Sequence, residues 1–174
     1  WGRWGGAVSG GTAGEKAMAR LGEIYCTSPL GLVHRLGRPA SGVVLFARSE
    51  NALAHLNGQF RERQVEKVYL AAVANRPEAM EGKLVHYLRR DGRKNKTIAY
   101  SDPQKDAKQA ELSYRYLDSS DHYHLLEIRL HTGRHHQIRA QLADIGCPIK
   151  GDVKYGFRRS NPDRSIHLHA WKLT

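Results

Sequence analysis

The chain has 174 residues, 40% of them apolar, which suits one domain with a real core and excludes a disordered tail. Lys and Arg number 28 against 17 Asp and Glu, and the resulting +11 recurs in RERQVEK, LRRDGRKNK, GRHHQIR and GFRRSNPDR rather than in one tail. A folded domain this basic is expected to meet a polyanion, nucleic acid first. No run approaches the ~18 apolar residues that a membrane-spanning helix needs, so no membrane partner is expected. Cys26 and Cys147 are too few and too far apart for a disulfide scaffold. Reduced thiols in an intracellular compartment are expected, with cytoplasm and organelle matrix both compatible. The start, WGRWGGAVSGG, has no apolar signal-peptide segment and no Met, so a fragment or a processed form is expected.

In chain order, residues 1–22 are Gly-rich and weakly patterned, and we expect a mobile lead-in extending to about residue 30. A turn carrying His34, Arg35 and Arg38, without a carboxylate, runs into VVLFAR, residues 43–48, which predicts a strand buried on both faces. Ser49 predicts the cap of a helix over 50–63, with Leu53, Leu56 and Phe60 on one face and Arg61 and Arg63 in its last turn. VEKVYLAAV, 65–73, predicts a strand, and HYLRRDGRKNKTIAY an irregular basic strand pair. AELSYRYL and HYHLLEIRL flank DSSD and predict a hairpin. After Thr132-Gly133, a helix is expected over 134–145, burying Ile138, Leu142 and Ile145 and ending at Gly146. Residues 151–164 predict a loop and IHLHAWKL, 166–173, a last strand. The sum is an α+β domain with a mixed, largely antiparallel sheet and flanking helices.

Four ordered motifs carry a family resemblance. VHRLGRPASGVVLFAR resembles the His-Arg-Leu-Asp turn and strand of the RluA-type RNA pseudouridine synthases. FRERQVEKVYLAAV resembles their Lys-x-Tyr strand, and LHTGRHHQIRAQLADIGCPIKGDVKYG their Thr-Gly-Arg-x-His-Gln-Ile-Arg helix and Gly-Asp loop. IHLHAWKL resembles their final Leu-His-Ala strand. The resemblance runs from Gly31 to Leu173 and implies a single catalytic domain of that fold over 31–174. Residues 1–30 do not resemble the strand pair that the family has before this region.

The family turns a uridine in RNA from an N-glycosidic to a C-glycosidic nucleoside, with one essential Asp and no cofactor or metal. The resemblance therefore implies an RNA substrate, ribosomal or transfer RNA, and a protein acting as a monomer or as a ribonucleoprotein component. The chemistry is coherent. A stacked base is out of reach until it flips out, and a carboxylate beside it can divide one hard step into easier ones. This chain departs at that point: Gly37 stands where the family has Asp, between matching His34, Arg35 and Leu36. Glycine is neither nucleophile nor base, and losing a nucleophile from a hydrolase costs on the order of 10⁶ in turnover. Ser41 lacks an evident activating base in the sequence.

By the same resemblance, Arg35 enters the RNA stack and Tyr69 stacks on the target base and assists proton removal. Arg139 pairs with the family Asp, and so is expected here without that counterion, or bound instead to an RNA phosphate or a water-bridged acid. Leu168 packs against the base. Each also has a plainer reading: a phosphate contact for Arg35, an ordinary strand tyrosine for Tyr69, core for Leu168. Independently of the family, a helix start at Thr132–His135 would turn free amides and Arg134, His135 and His136 toward a phosphate. His34 belongs with the same RNA contacts. Arg89, Arg90, Arg93, Lys94 and Lys96 suit an RNA-facing edge. His122/His124 and His167/His169 are spaced to share a strand face, but without Cys-x-x-Cys or nearby acids no zinc site is expected. A dead synthase that binds RNA as an assembly factor, a synthase whose Asp was lost or replaced, and a basic structural ribonucleoprotein component all remain open.

Overall fold

The computed structural model describes residues 30–174. The lead-in expected over 1–30 falls almost wholly outside these residues, as does Cys26. The chain divides into two units, one holding described residues 30–38 and 44–64, the other residues 39–43 and 65–174.

In the first unit, β1 (Gly31–Leu32) pairs antiparallel with β3 (Phe46–Ala47). Helix α1 spans Glu50–Arg61, and Ser49 caps it by accepting the Ala52 amide at 3.2 Å. Glu50 in its first turn and Arg61 in its last complement the helix dipole. Arg63 lies beyond the helix with φ 60°, so it does not close the last turn as expected. Leu53, Leu56 and Phe60 are half-buried.

The predicted strand over 43–48 does not form as one buried strand. The run crosses from one unit to the other between Val43 and Val44. Val43 is 42% exposed and donates its amide to Ala170, while only Phe46–Ala47 enter the other ladder. An apolar run alone could not reveal that division.

The second unit is a seven-stranded sheet in the order β2-β9-β4-β8-β7-β5-β6. Its strands are β2 (Ser41–Gly42), β4 (Lys67–Val73), β5 (Glu81–Asp91), β6 (Lys96–Tyr100), β7 (Lys108–Ser119), β8 (His124–Leu130) and β9 (Leu168–Leu173). Only β2–β9 is parallel among the pairs described, so the sheet is mixed and largely antiparallel, as the sequence predicts. The DSSD turn joins β7 to β8. The basic segment is a regular β5–β6 hairpin rather than an irregular pair.

Helix α2 spans Gln137–Asp144, three residues shorter at its start than expected. It buries Ile138 and Leu142 against Ala71, Val73, Leu112, Leu126, Ile128 and Leu168. Each large side chain here contributes about 1.5–3 kcal/mol of transfer free energy. The other face of the sheet carries charge. Lys83 meets Glu111 at 2.7 Å, and buried Glu127 lies 3.4 Å from both Arg115 and Arg129.

Gly42 joins the sheet edge to the rest of the chain with φ 122°. A Cβ there would run into the backbone of Ala170. Both the left-handed conformation and the close approach require glycine. Gly42→Ala is therefore expected to cost well over the ~1 kcal/mol of an ordinary Gly/Ala exchange. Thermal melting checks this; an unchanged midpoint would show that the β2–β9 contact is dispensable.

Candidate functional site

The start of α2 brings together the densest polar constellation. Arg139 is 9% and Asp152 1% exposed, and they pair through two hydrogen bonds, both 2.7 Å, from Nε to Oδ2 and from Nη2 to Oδ1. Arg139 is therefore not left without a counterion, contrary to the sequence expectation: the Gly-Asp loop supplies one. This fork-on-fork geometry fixes the guanidinium plane. The guanidinium also lies 4.7 Å from the ring centroid of buried Tyr155. Tyr155 sits at the end of the short 3-10 helix Val153–Tyr155, so one loop supplies both contacts.

His136 occupies the left-handed position before α2, φ 50°, and does not cap it with its side chain. Its Nδ1 is 2.9 Å from the Tyr155 hydroxyl, and its Nε2 is 3.0 Å from Arg139 Nη1. Facing a guanidinium N–H, Nε2 must accept, which fixes the tautomer. Burial, then Arg139, lowers the His136 pKa to about 3. His135 stacks on His136 at 3.8 Å and is also shifted down, by burial first and then by Arg90, Arg139 and Lys154. Thr97 joins the group through its hydroxyl, 2.8 Å from His135 Nδ1, and its amide, which donates to Tyr155 at 2.8 Å. Burial and Arg139 thus make His136 a neutral hydrogen-bonding group between Tyr155 and Arg139.

The expected phosphate cradle at residues 132–135 also changes. Gln137 Oε1 accepts the Arg134 amide at 3.0 Å and the Thr132 hydroxyl at 2.7 Å, so that amide is already used. Arg134 Nε donates to the Gln109 carbonyl at 3.0 Å. What faces outward is a cationic rim. Lys154 donates to the carbonyls of Lys94 and Asn95, Lys96 lies over the Tyr155 ring, and Arg90 is close enough to act on His135. Arg89 and Arg90 are neighbours in β5 and so point to opposite faces. Arg89 lies over Tyr100 instead.

Tyr69 and Leu168 share the core face of the sheet, for Tyr69 pairs with Ala170 and Ile128, and Ala71 with Leu168. Burial raises the Tyr69 pKa, so its hydroxyl stays protonated. Leu168 is 6% exposed, a core residue here. A register shift separates Val68 from Tyr69 on the β9 side, the kind of irregularity that re-aims a side chain.

His34, Arg35 and Gly37 belong to the first unit. His34 Nε2 accepts the Leu45 amide at 3.1 Å, and its ring stacks on Phe60 at 5.3 Å. Arg35 and Gly37 are exposed on either side of buried Leu36. Left-handed φ occurs at Gly42, Gly146, Gly151 and Gly156 among the described glycines.

Ser41 has a partner the sequence did not show: its Oγ is 2.9 Å from His169 Nδ1. His169 alternates with Leu168 and Ala170, so this pair lies on the sheet face opposite Tyr69. Among the described residues, no group of three or more His, Cys, Asp or Glu is placed to hold a metal, and no helix is long and apolar enough to cross a membrane.

Sequence reasoning missed Asp152, Tyr155, Thr97 and Gln137. Asp152 had one usable signal, because a buried helical arginine demands a carboxylate and the Gly-Asp pair follows thirteen residues on. Thr97 had none; only the sheet register brings it to His135.

Two outcomes follow. Asp152→Asn leaves a buried guanidinium uncompensated and is expected to cost about 3–5 kcal/mol in urea unfolding, whereas replacing both partners with apolar residues recovers most of it. For His136, the folded pKa of about 3 lies below the unfolded value near 6.5. Its contribution is complete above pH 6.5 and declines as pH falls toward 3, because the unfolded chain then binds the proton first. His135 and His167 are shifted the same way. His136→Gln should flatten, without abolishing, the slope of stability against pH between 6.5 and 4.

Comparison with known proteins places this geometry in context. The profile of a family described as RNA pseudouridylate synthase matches residues 14–144. An uncharacterized RNA pseudouridine synthase of Chloroflexus aurantiacus is 38% identical over 161 residues, covering 91% of this chain and 48% of that protein. Ribosomal large subunit pseudouridine synthase D of Borreliella burgdorferi is 33% identical over 144 residues, covering 82% and 44%. The chain thus spans about half the length of these curated relatives. The solved structure of human RNA pseudouridylate synthase domain containing 4 superposes with a TM-score of 0.74 at 25% identity, covering 91% of this chain and 73% of that one.

Proposed function

Because the chain belongs to the RNA pseudouridylate synthase family, we propose that it binds a uridine-containing RNA as the family does but isomerises it weakly or not at all. The carrying observation is Gly37, in a turn that otherwise matches the family's. Three groups of the second unit that could be considered as substitutes are each otherwise engaged or protonated. Asp152 is 1% exposed and both of its oxygens are held by Arg139. Ser41 does have a histidine, but on the face away from Tyr69. Tyr69 is held protonated by burial. Within the second unit, Tyr69 and Leu168 are the proposed contacts of the flipped nucleotide, with Arg134, His135, His136 and Arg139 grouped at the start of α2; in the first unit, Arg35 and His34 are separately proposed RNA contacts. Arg90 and Lys94 face the RNA backbone from the cationic rim, and Arg89 from the other face of β5.

Ribosomal RNA is the proposed partner, supported by the large-subunit name of the Borreliella relative and the +11 charge; transfer RNA is the second candidate. The protein acts as a monomer or as a ribonucleoprotein component inside the cell, with no cofactor. The same glycine favours a second reading, an RNA-binding assembly factor or structural component with no chemistry.

Tritium release from 5-tritiated uridine in bulk ribosomal RNA tests this. The chain is expected to release little, and Gly37→Asp to release it at least on the order of 10³-fold faster. Equal, rapid release by both would remove the proposal that Gly37 disables the site. Release by neither, with RNA still bound, would favour the assembly-factor reading.

A further inference from the structure

Away from Arg139, a second surface combines aromatic rings with cations. Tyr123 at the β7–β8 turn and Phe157 in the loop after Tyr155 have ring centroids 6.3 Å apart, tilted by 39°. Both rings are half-exposed. The Lys150 ammonium lies 4.7 Å from the Tyr123 centroid, and His122 meets the same ring edge-on at 6.4 Å. Arg158 and Arg159 follow Phe157 and are exposed. None of these cations forms an ion pair with a carboxylate among the described residues. Asp118 and Asp121 belong to the same turn, and Asp118 is engaged by the Ser119 amide.

The backbone that carries both rings is fixed by hydrogen bonds. The Ser120 amide donates to the Tyr123 carbonyl at 2.8 Å, and Ser120 Oγ accepts the Tyr123 amide at 3.2 Å. The Phe157 amide donates to the Asp152 carbonyl at 3.0 Å, after Gly156 turns the chain at φ 101°. Aromatic rings on a fixed backbone and packed on one another lose less freedom when a ligand stacks on them. Rings beside unneutralised cations are the combination that holds single-stranded nucleic acid, since every base offers a π-face and every nucleotide a phosphate.

We propose that Tyr123 and Phe157 form a stacking platform for an unpaired nucleotide flanking the target, with Lys150, Arg158 and Arg159 taking the adjoining phosphates. This rests on the RNA-binding reading above and adds to it a second, sequence-tolerant contact. Because the Phe157 amide is tied to Asp152, the platform and the carboxylate that holds Arg139 are ends of one short loop.

The test uses the intact chain and two probes: a single-stranded oligouridine carrying 5-iodouridine, and an unmodified structured fragment of ribosomal RNA. Long-wavelength irradiation joins 5-iodouridine to aromatic rings stacked on it, and the expected adduct is on Tyr123 or Phe157. Tyr123→Leu and Phe157→Leu keep apolar bulk, and each should weaken oligouridine binding about fivefold or more. Thermal melting confirms that each variant is folded. Adducts only elsewhere, or unchanged affinity in both folded variants, would overturn the platform while the chain still binds RNA. Failure of the unchanged chain to bind either probe would overturn the RNA reading itself.

Discussion

The buried pair of Arg139 and Asp152 is the constraint around which this end of the molecule is arranged. A guanidinium placed by a helix in a nearly dry site has to be neutralised, and the only economical partner is a carboxylate that meets both of its donor edges. Asp152 does so from a loop thirteen residues away. That requirement fixes the loop, the loop fixes Tyr155 under the guanidinium, and Tyr155 in turn takes the Thr97 amide from β6 and His136 from the helix start. A sheet strand, a helix and a loop are thereby locked through one charge. Depriving the histidines of protons is part of the same arrangement, through burial first and then through the positive charges of Arg139 and Arg90.

Arg139 draws its counterion from its own unit. With Asp152 in place, the structural demand of Arg139 is met independently of residue 37. A carboxylate that is 1% exposed and held at both oxygens serves the core rather than an open cleft.

Much of the sheet was legible in the sequence because its signals are local. Alternating apolar residues in AELSYRYL, the DSSD turn and the cap at Ser49 each specify their element within a few residues. The failures have physical causes. VVLFAR has the composition of a buried strand, but the path of the chain divides it between two units. The second helix starts at Gln137 rather than Arg134 because the Gln137 side chain folds back onto the Arg134 amide, a contact that no propensity encodes. In the site, residue types were readable but partnerships were not. Arg139 was expected without the turn acid, and Asp152 was not foreseen as its partner for want of one fact, that the Gly-Asp loop returns to the helix. Ser41 and His169 are 128 residues apart, beyond any local signal.

The position of β9 has a consequence for how the chain acquires its shape. This strand, Leu168–Leu173, lies inside the sheet, between β2 and β4, although it comes after all the others in sequence. Until it arrives, β4 has one unpaired edge, and β2 has no partner at all. Closing the β2–β9 pair is the slowest kind of contact to make, because a loop of more than a hundred residues must first be drawn together. A nascent chain on a ribosome would hold that open edge for the whole interval, exposed to pairing with other chains.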